Sequence, residues 1–328
     1  MGIGIIGIGK KLADNVITNE DICKFADTSN EWIVERTGVH ERHIATTQKS
    51  LDLALDATEE ALYGIDRGSI GLVVFATCTP DLLVPSMGSL VRMRLGLKNA
   101  VVFDLNSACS GFVYGLCAAE AIMKASNDKT GGIINRAIVI GSERVSRITD
   151  WEDRGSLILF GDGAGAAVLE QRENETGIIA SFLKNYDDVE KALWCGMEYK
   201  DNIFSKDEET DKMLVRMSGT KVFRFAVAAS SEVMEKALLS AGMAADDVDF
   251  YIPHQANLRI IRAAAHRFGQ PLSKFQISID KTGNVSAASI PMALYDAVKE
   301  GKVKAGDTVM LVGFGGGLSA GAVLMKVW

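Results

Sequence analysis

Proline, cysteine and histidine are all scarce in this chain, and long apolar runs are missing. Five prolines among 328 residues leave little material for Pro-rich linkers. No apolar run reaches the roughly 18 residues of a membrane-spanning helix, so none is expected. The apolar start, Met1 to Gly7, has no basic n-region or cleavage site and reads as a first strand, not a signal peptide. The five cysteines (Cys23, Cys78, Cys109, Cys117 and Cys195) are odd in number and form no Cys-x-x-Cys pair, so free thiols in a reducing cytoplasm are expected. The four histidines, His40, His43, His254 and His266, show no zinc-ligand spacing. A net charge of −7 argues against nucleic-acid binding and leaves room for a local basic patch.

What is plentiful points inward. Apolar residues make up 48 % of the chain and mean hydropathy is slightly positive, enough for a large core. The 32 glycines suit tight strand-to-helix turns. The length allows two domains or one large double domain.

The chain is organised around Val101 to Phe112. Its apolar, β-branched beginning predicts a short buried strand; Phe112, Leu116, Ala119, Ile122 and Met123 then recur at helical spacing. Cys109 falls where strand passes to helix. Free N–H groups and the positive end of a helix stabilise a thiolate there, and such sites bring a cysteine pKa from about 8.5 down to roughly 3.5–7.5. Small neighbours, Ala108, Ser110 and Gly111, let another molecule approach. A buried, inert thiol is the competing reading of this stretch.

The halves of the chain resemble each other. Helix, turn and strand over 51–79 recur over 226–254; strand 101–105 and the Cys109 helix match a strand at 275–279 and a helix starting near Asn284. Strand 136–141 matches 307–313, and Phe160 to Leu169 echoes Phe314 to Leu324. A duplicated α/β fold with sheets covered on both faces follows. It divides into an N-terminal half, residues 1–175, and a C-terminal half, residues 176–328. The Cys109 and Asn284 helices would meet where the halves join. The polar segment 184–216 reads as a partly exposed insertion, and 126–135 as a surface loop.

That duplication bears on three further places. His254, in Tyr251 to Asn257, stands just past a strand, at the same strand end as Thr77-Cys78-Thr79; a structural histidine is the alternative. Asn284, in Thr282 to Ser289, is either an N-cap or a polar group facing Cys109. Gly313-Phe314-Gly315-Gly316-Gly317 is a turn that only backbone brings to a ligand, and no Gly-Lys-Ser/Thr makes it a P-loop.

Together these motifs resemble the β-ketoacyl-acyl-carrier-protein synthase III family of the thiolase superfamily. The resemblance rests on Ser107 to Phe112, His254 to Arg259, Gly283 to Ser286, Glu31 to Gly38, Asp153-Arg154-Gly155 and Phe160 to Ala164, and it runs the full length. It implies thiolase-like duplicated β-α-β-α-β-α-β-β halves in layers α-β-α-β-α, and a decarboxylative Claisen condensation that starts type II fatty-acid synthesis. Cys109 would attack a short acyl-CoA and hold the acyl group as a thioester. The N–H groups of Cys109 and Gly316 would form the oxyanion hole, and His254 and Asn284 would donate to the malonyl thioester oxygen as CO₂ leaves. The partners implied are acyl-CoA, as substrate, and malonyl-acyl-carrier protein, with a second copy as a homodimer; no metal, cofactor, nucleic acid or membrane is implied.

The resemblance assigns further residues. Trp32 and Arg154 would sandwich the CoA adenine, with Thr28 and Arg36 nearby and Gly219, Phe223 and Asn257 along the pantetheine tunnel. Thr28 to Glu31 has capping-box form and starts the Trp32 helix. Gln255, Arg259, Arg262, Arg267 and Arg224 would meet the acidic carrier protein, since a basic stripe on an acidic chain suits one. Val84 stands where acetyl-preferring members often have Phe, in a loop that reaches the partner's acyl pocket, so a longer or branched primer is expected. An acyltransferase or condensing enzyme of secondary metabolism is the alternative.

Overall fold

The computed structural model describes residues 1–126, 132–173, 176–196, 204 and 213–328. The chain opens with β1 (Gly2–Leu12), β2 (Asn15–Thr18), α1 (Asn19–Ile22), α2 (Asn30–Thr37) and β3 (Glu41–Ile44), with β2 and β3 paired as a ribbon. It continues through α3 (Ser50–Ala61), β4 (Leu72–Ala76), α4 (Met87–Leu95), β5 (Val101–Leu105), α5 (Gly111–Ala125), β6 (Arg136–Arg144), α6 (Arg154–Leu157) and β7 (Asp162–Arg172). The second half runs β8 (Ile178–Asn185), β9 (Leu193–Cys195), β10 (Val215–Met217), α7 (Gly219–Ala241), β11 (Phe250–Pro253), α8 (Leu258–Arg267), α9 (Ile279–Thr282), α10 (Ser289–Lys299), β12 (Thr308–Gly315) and β13 (Ser319–Lys326).

Two mixed sheets result, ordered β1-β7-β6-β4-β5 and β11-β12-β13-β8. Their registers superpose. Ala76 lies opposite Gly141 and Gly141 opposite Gly165; His254 follows Pro253 to the level of Gly313, and Gly313 lies opposite Gly321. Helices α3 and α4 cover the outer face of the first sheet, α7 and α8 that of the second, and α5 and α10 lie between the sheets. These are the layers α-β-α-β-α. The middle layer is the driest: Phe112, Leu116 and Met123 of α5 and Ile290, Leu294 and Ala297 of α10 pack against inward residues of both sheets. Such a layer forms because both helices are apolar on nearly every side, which a helix covered by two sheets requires.

Two glycines allow the middle layer to sit so close. A Cβ on Gly141 would fall 3.0 Å from Ala288 Cα, and one on Gly313 would fall 3.1 Å from Ser110 Cα. Each half thus offers a bare strand position to the helix N-terminus of the other.

Several expectations need correction. β5 is an edge strand with Val101 64 % exposed, not a buried one, because only β4 flanks it. Residues 275–279 make a single bridge, Phe275 with Tyr251, in place of a strand. The Gln255 side chain draws the N–H groups of Ser278 and Ile279 to itself, and the chain turns into α9. The helix expected near Asn284 begins later: residues 286–288 form a 3₁₀ turn before α10. Helix α2 is capped by Ser29, whose Oγ accepts from Trp32 N at 3.2 Å, so the cap lies one residue beyond Thr28. The charged run Lys206 to Glu209, Asp211 and Lys212, and residues 127–131 of the expected loop, lie outside the described residues.

Candidate active site

A cavity of about 930 Å³ opens where the two central helices begin, and Cys109, His254 and Asn284 all line it. Cys78, Ser286 and Gly316 share its wall, and the exposed Arg36 and Arg259 mark its solvent side.

The Cys109 turn is built by its neighbours. Asn106 Oδ1 accepts from Ala108 N at 3.1 Å, and Ala108 takes φ +43, a left-handed conformation rare for a residue with a Cβ. A 3₁₀ turn, Ala108–Ser110, then feeds α5. Ser110 Oγ and Ser319 Oγ lie 2.7 Å apart and tie the turn to β13. Gly315 backs it closely: a Cβ there would fall 2.8 Å from Cys109 N. Burial pushes the Cys109 thiol up to about 12, and a hydrogen bond from Ser286 opposes the rise. That is the reverse of the lowering expected from the helix terminus. Removing the sulfur from water disfavours the thiolate more than nearby donors favour it.

Asn284 sits in a turn of the same build. Its Oδ1 accepts from Ser286 N at 2.9 Å, and Ser286 takes φ +46. With the oxygen so occupied, the amide NH₂ is the end left to face the cavity. The backbone is clamped as well: Asn284 N donates to Leu159 O at 2.9 Å and Gly161 N to Asn284 O at 3.0 Å. Asp162 beside it accepts from Ala45 N, Ser146 N and Ser146 Oγ, which gives the Phe160-to-Ala164 motif a structural task.

His254 is 1 % exposed and packs edge-on against Phe314, ring centroids 5.2 Å apart. Its backbone N–H donates to Val312 O at 2.7 Å, fixing the residue to β12, while ring Nδ1 is buried with no hydrogen-bond partner among the described residues. Burial holds its pKa down to about 3, so the ring is neutral and offers one N–H.

The other expected residues divide. Trp32, Arg36, Gly219, Phe223, Asn257 and Arg259 line the cavity with Gly316. Asn257 also caps α8, accepting from Arg259 N at 2.8 Å and donating to Arg36 O at 2.9 Å. Arg154 lies with its guanidinium 4.0 Å from the Trp32 ring centroid, too close for a base between them, so a sandwiched adenine requires Arg154 to swing away. Thr28 is outside the cavity lining, its Oγ1 buried and without a hydrogen-bond partner among the described residues. Arg224, Arg262 and Arg267 are exposed.

Gln255 does not belong with these arginines. It is 1 % exposed, and its amide joins Pro253 O, Gln276 O, Ser278 N and Ile279 N, so it holds the loop together from inside. Val84 is 87 % exposed and lines no part of this chain's own cavity. The apolar wall of this chain's own cavity comes from Val145, Ile148, Leu193, Val215 and Met217. Strands β9 and β10, which supply three of these, lie in the polar insertion and carried no sequence signal as site residues. Cys78 and Ser286 were marked only by standing at a strand end and beside Asn284.

A thiol at the start of one buried helix, with a neutral imidazole and a carboxamide from the other half on the same cavity, is the frame of a thiolase-fold condensing enzyme. Family models described as 3-oxoacyl-[acyl-carrier-protein] synthase III and its C-terminal region match residues 103–187 and 238–327. A β-ketoacyl-[acyl-carrier-protein] synthase III of Clostridium beijerinckii is 42 % identical over 326 residues, covering 99 % of each chain. The crystal structure of the 3-oxoacyl-[acyl-carrier-protein] synthase III of Aquifex aeolicus VF5 matches with a TM-score of 0.90 at 40 % identity, covering 99 % of this chain and 100 % of that one. The priming β-ketosynthase of the R1128 polyketide pathway has a TM-score of 0.91 at 32 % identity, covering 99 % and 96 %. The chain belongs to the 3-oxoacyl-[acyl-carrier-protein] synthase III family.

Proposed function

We propose that the protein condenses a short acyl-CoA primer with malonyl-acyl-carrier protein, releasing CO₂, and so initiates type II fatty-acid synthesis. The observation that carries this is the meeting of Cys109, His254 and Asn284 on one cavity in a chain of this family. Cys109, a thiol at rest, attacks the primer thioester; its sulfur gains the acyl group, and the CoA sulfur leaves and takes up the proton. The N–H groups of Cys109 and Gly316 face the oxyanion. In the second half-reaction His254 and Asn284 donate to the malonyl thioester oxygen as the carbon–carboxylate bond breaks, and each donor of this kind is worth about 3–4 kcal/mol of barrier. A neutral imidazole suits this better than an imidazolium, because no buried cation has to be maintained beforehand. The resulting carbanion attacks the Cys109 thioester. Every step is carried by side chains and backbone, so the proposal includes no cofactor.

The wider reading rests on exposure and charge. Trp32 and Arg36 with Arg154 take the CoA nucleotide, and Gly219, Phe223 and Asn257 flank its pantetheine arm. Arg259, Arg262, Arg267 and Arg224 are exposed cations suited to an acidic carrier protein. Two copies pair through the open edge of β5, which brings the exposed Leu82, Leu83 and Val84 toward the neighbour's cavity. Residues 1–175 and 176–328 are the two copies of the duplication, and a reducing cytoplasm keeps the thiol free. Primary over secondary metabolism is favoured by the 42 % and 40 % identity to the Clostridium beijerinckii and Aquifex aeolicus synthases III, against 32 % to the polyketide priming enzyme.

Intact-protein mass spectrometry after incubation with acetyl-, isobutyryl- and octanoyl-CoA tests the first half-reaction. One acyl mass on the Cys109 peptide is expected, with the branched or longer primer preferred. CO₂ release on adding malonyl-acyl-carrier protein tests the second. No acyl mass on Cys109 overturns the function, and strict acetyl preference overturns the role of Val84.

A further inference from the structure

Neighbouring glycines of the Gly-rich turn meet different parts of the molecule. A Cβ on Gly315 would fall 2.8 Å from Cys109 N, whereas one on Gly316 would fall 3.3 Å from Leu193 O, 3.5 Å from Leu193 Cγ and 3.7 Å from Ala108 Cβ. Gly316 therefore stands beside both the nucleophile turn, at Ala108, and strand β9, at Leu193. Leu193 is half-buried and lines the cavity with Met217, its register partner on β10, and with Val215; all three belong to the apolar cluster of Val145 and Ile148. Two three-residue strands are marginal on their own in water. These two are pinned at both ends. Asp188 accepts from Ala192 N at 2.7 Å and from Leu193 N at 3.4 Å, and Ser218 N donates to Ala192 O at 2.8 Å. At the other end Val215 N donates to Ile148 O at 2.7 Å, and Arg216 pairs with Asp150. Ahead of β9, Tyr186 N donates to Leu318 O at 2.8 Å, which ties this part of the chain to the residue after the Gly-rich turn.

We propose that Leu193, held in place by β9 and β10, keeps water off the acyl-enzyme, so that the Cys109 thioester survives until the malonyl group arrives. The inference rests on the reading of Cys109 as the acyl-accepting thiol and of the Gly316 N–H as an oxyanion donor. An oxyanion hole does not choose its nucleophile. Donors that stabilise attack on the thioester by a carbanion also stabilise attack by water. In that hydrolysis the water oxygen bonds to the acyl carbon and the carbon–sulfur bond breaks. The Cys109 sulfur takes up one proton of the water, the other passes to solvent, and a carboxylate leaves. Selectivity for condensation therefore has to come from shielding the thioester. A cavity of about 930 Å³ has room for water, so the shielding is local to the reacting carbon. Beside Gly316 the polar insertion supplies an alkyl side chain, which offers water nothing to bind.

The test loads Cys109 from acetyl- and isobutyryl-CoA, removes free CoA by desalting, and follows the acyl mass on the intact protein without malonyl-acyl-carrier protein. A parallel run in water enriched in heavy oxygen identifies hydrolysis by the label in the released acid. Leu193→Ala should shorten the acyl-enzyme lifetime about tenfold. Leu193→Val keeps a strand-forming side chain and should shorten it less; Leu193→Met, close in volume, should stay within about twofold of wild type. With malonyl-acyl-carrier protein added, Leu193→Ala should release more free acid for each CO₂ than wild type does. Unchanged lifetimes in Leu193→Ala and Leu193→Val, both still acylated on Cys109, overturn the inference and leave the proposed function standing. Should Leu193→Ala not fold, Leu193→Val decides alone in the same way. A Leu193→Met lifetime as short as that of Leu193→Ala overturns it too, because an alkyl wall of the same size would then give no protection. Wild-type protein that takes up no acyl group from either CoA overturns the function instead.

Discussion

The turn at Asn106 and the turn at Asn284 are the same device used twice. In each, an asparagine oxygen caps the N–H two residues on, the capped residue takes φ near +45, a 3₁₀ turn follows, and a buried helix begins. In each, a glycine of the opposite half, Gly313 or Gly141, gives way to it. What differs is the cargo. Cys109 in the first turn corresponds to Ala287 in the second, His254 corresponds to Ala76, and Glu143 corresponds to Gly315. The duplication supplied two equivalent helix starts around one cavity. Divergence then put the thiol on one and the carboxamide on the other, beside the imidazole, where under the proposed function they serve the malonyl carbanion. The shared device explains the rigidity; the unequal residues explain the chemistry.

Breaking the difference should have the largest effect. Cys109→Ala removes the only thiol of the turn, and acyl transfer should fall by at least about a thousandfold. Placing a thiol on the mirrored position, Cys109→Ala with Ala287→Cys, should not restore it, because Ala287 is fully buried. An acyl mass on residue 287 of that double variant would show the two turns to be interchangeable.

Removing a donor from the proposed malonyl side comes next. Asn284→Ala should slow condensation by about 10²–10³-fold while leaving acetylation of Cys109 nearly intact. Its counterpart Asn106→Ala, which loses only the cap, should affect both half-reactions equally. Separate assays of acyl-enzyme formation and CO₂ release distinguish the two patterns.

The paired glycines test the common scaffold. Gly141→Ala and Gly313→Ala each force a Cβ into the other half's helix start and should cost about 1–3 kcal/mol in urea unfolding. Destabilisation of only one would mean that the halves tolerate strain unequally.

The smallest effect concerns His254, for which Ala76 is the untitratable counterpart. Its folded pKa lies near 3 against an ordinary value of 6.5, so below 6.5 the unfolded chain binds a proton that the folded chain refuses. Its contribution is complete above pH 6.5 and is lost progressively as pH falls toward 3. The slope is at most about 1.4 kcal/mol per pH unit. Urea midpoints of wild type and His254→Asn should therefore converge on going from pH 7 to pH 5.

Much of this was legible without coordinates. The matching segments 51–79 and 226–254, the strand pairs and the echoing Gly-rich segments revealed the repeat, because duplicated folds keep periodicity and turn glycines after side chains diverge. The repeat even placed Asn284 opposite the nucleophile, though its true counterpart is Asn106, three residues before Cys109. Gln255 misled because a polar residue beside arginines reads as surface; the sequence does not show that four backbone groups of a buried loop converge on it. Val84 stays a proposal about a neighbour's cavity, since an exposed loop carries no mark of which cavity it serves. The direction of the Cys109 shift failed because helix termini are local and desolvation is not.

Periodicity, glycine spacing and a few short motifs thus determined the duplication and the identity of the three polar groups on the cavity, since each is written in residues near one another in the chain, and the family resemblance of those motifs implied the layers. Tertiary packing alone decided the solvent around Cys109, the fate of Gln255, the wall supplied by β9 and β10, and the seating of Leu193 beside Gly316. Those depend on which distant atoms exclude water from a site, and no local pattern encodes that.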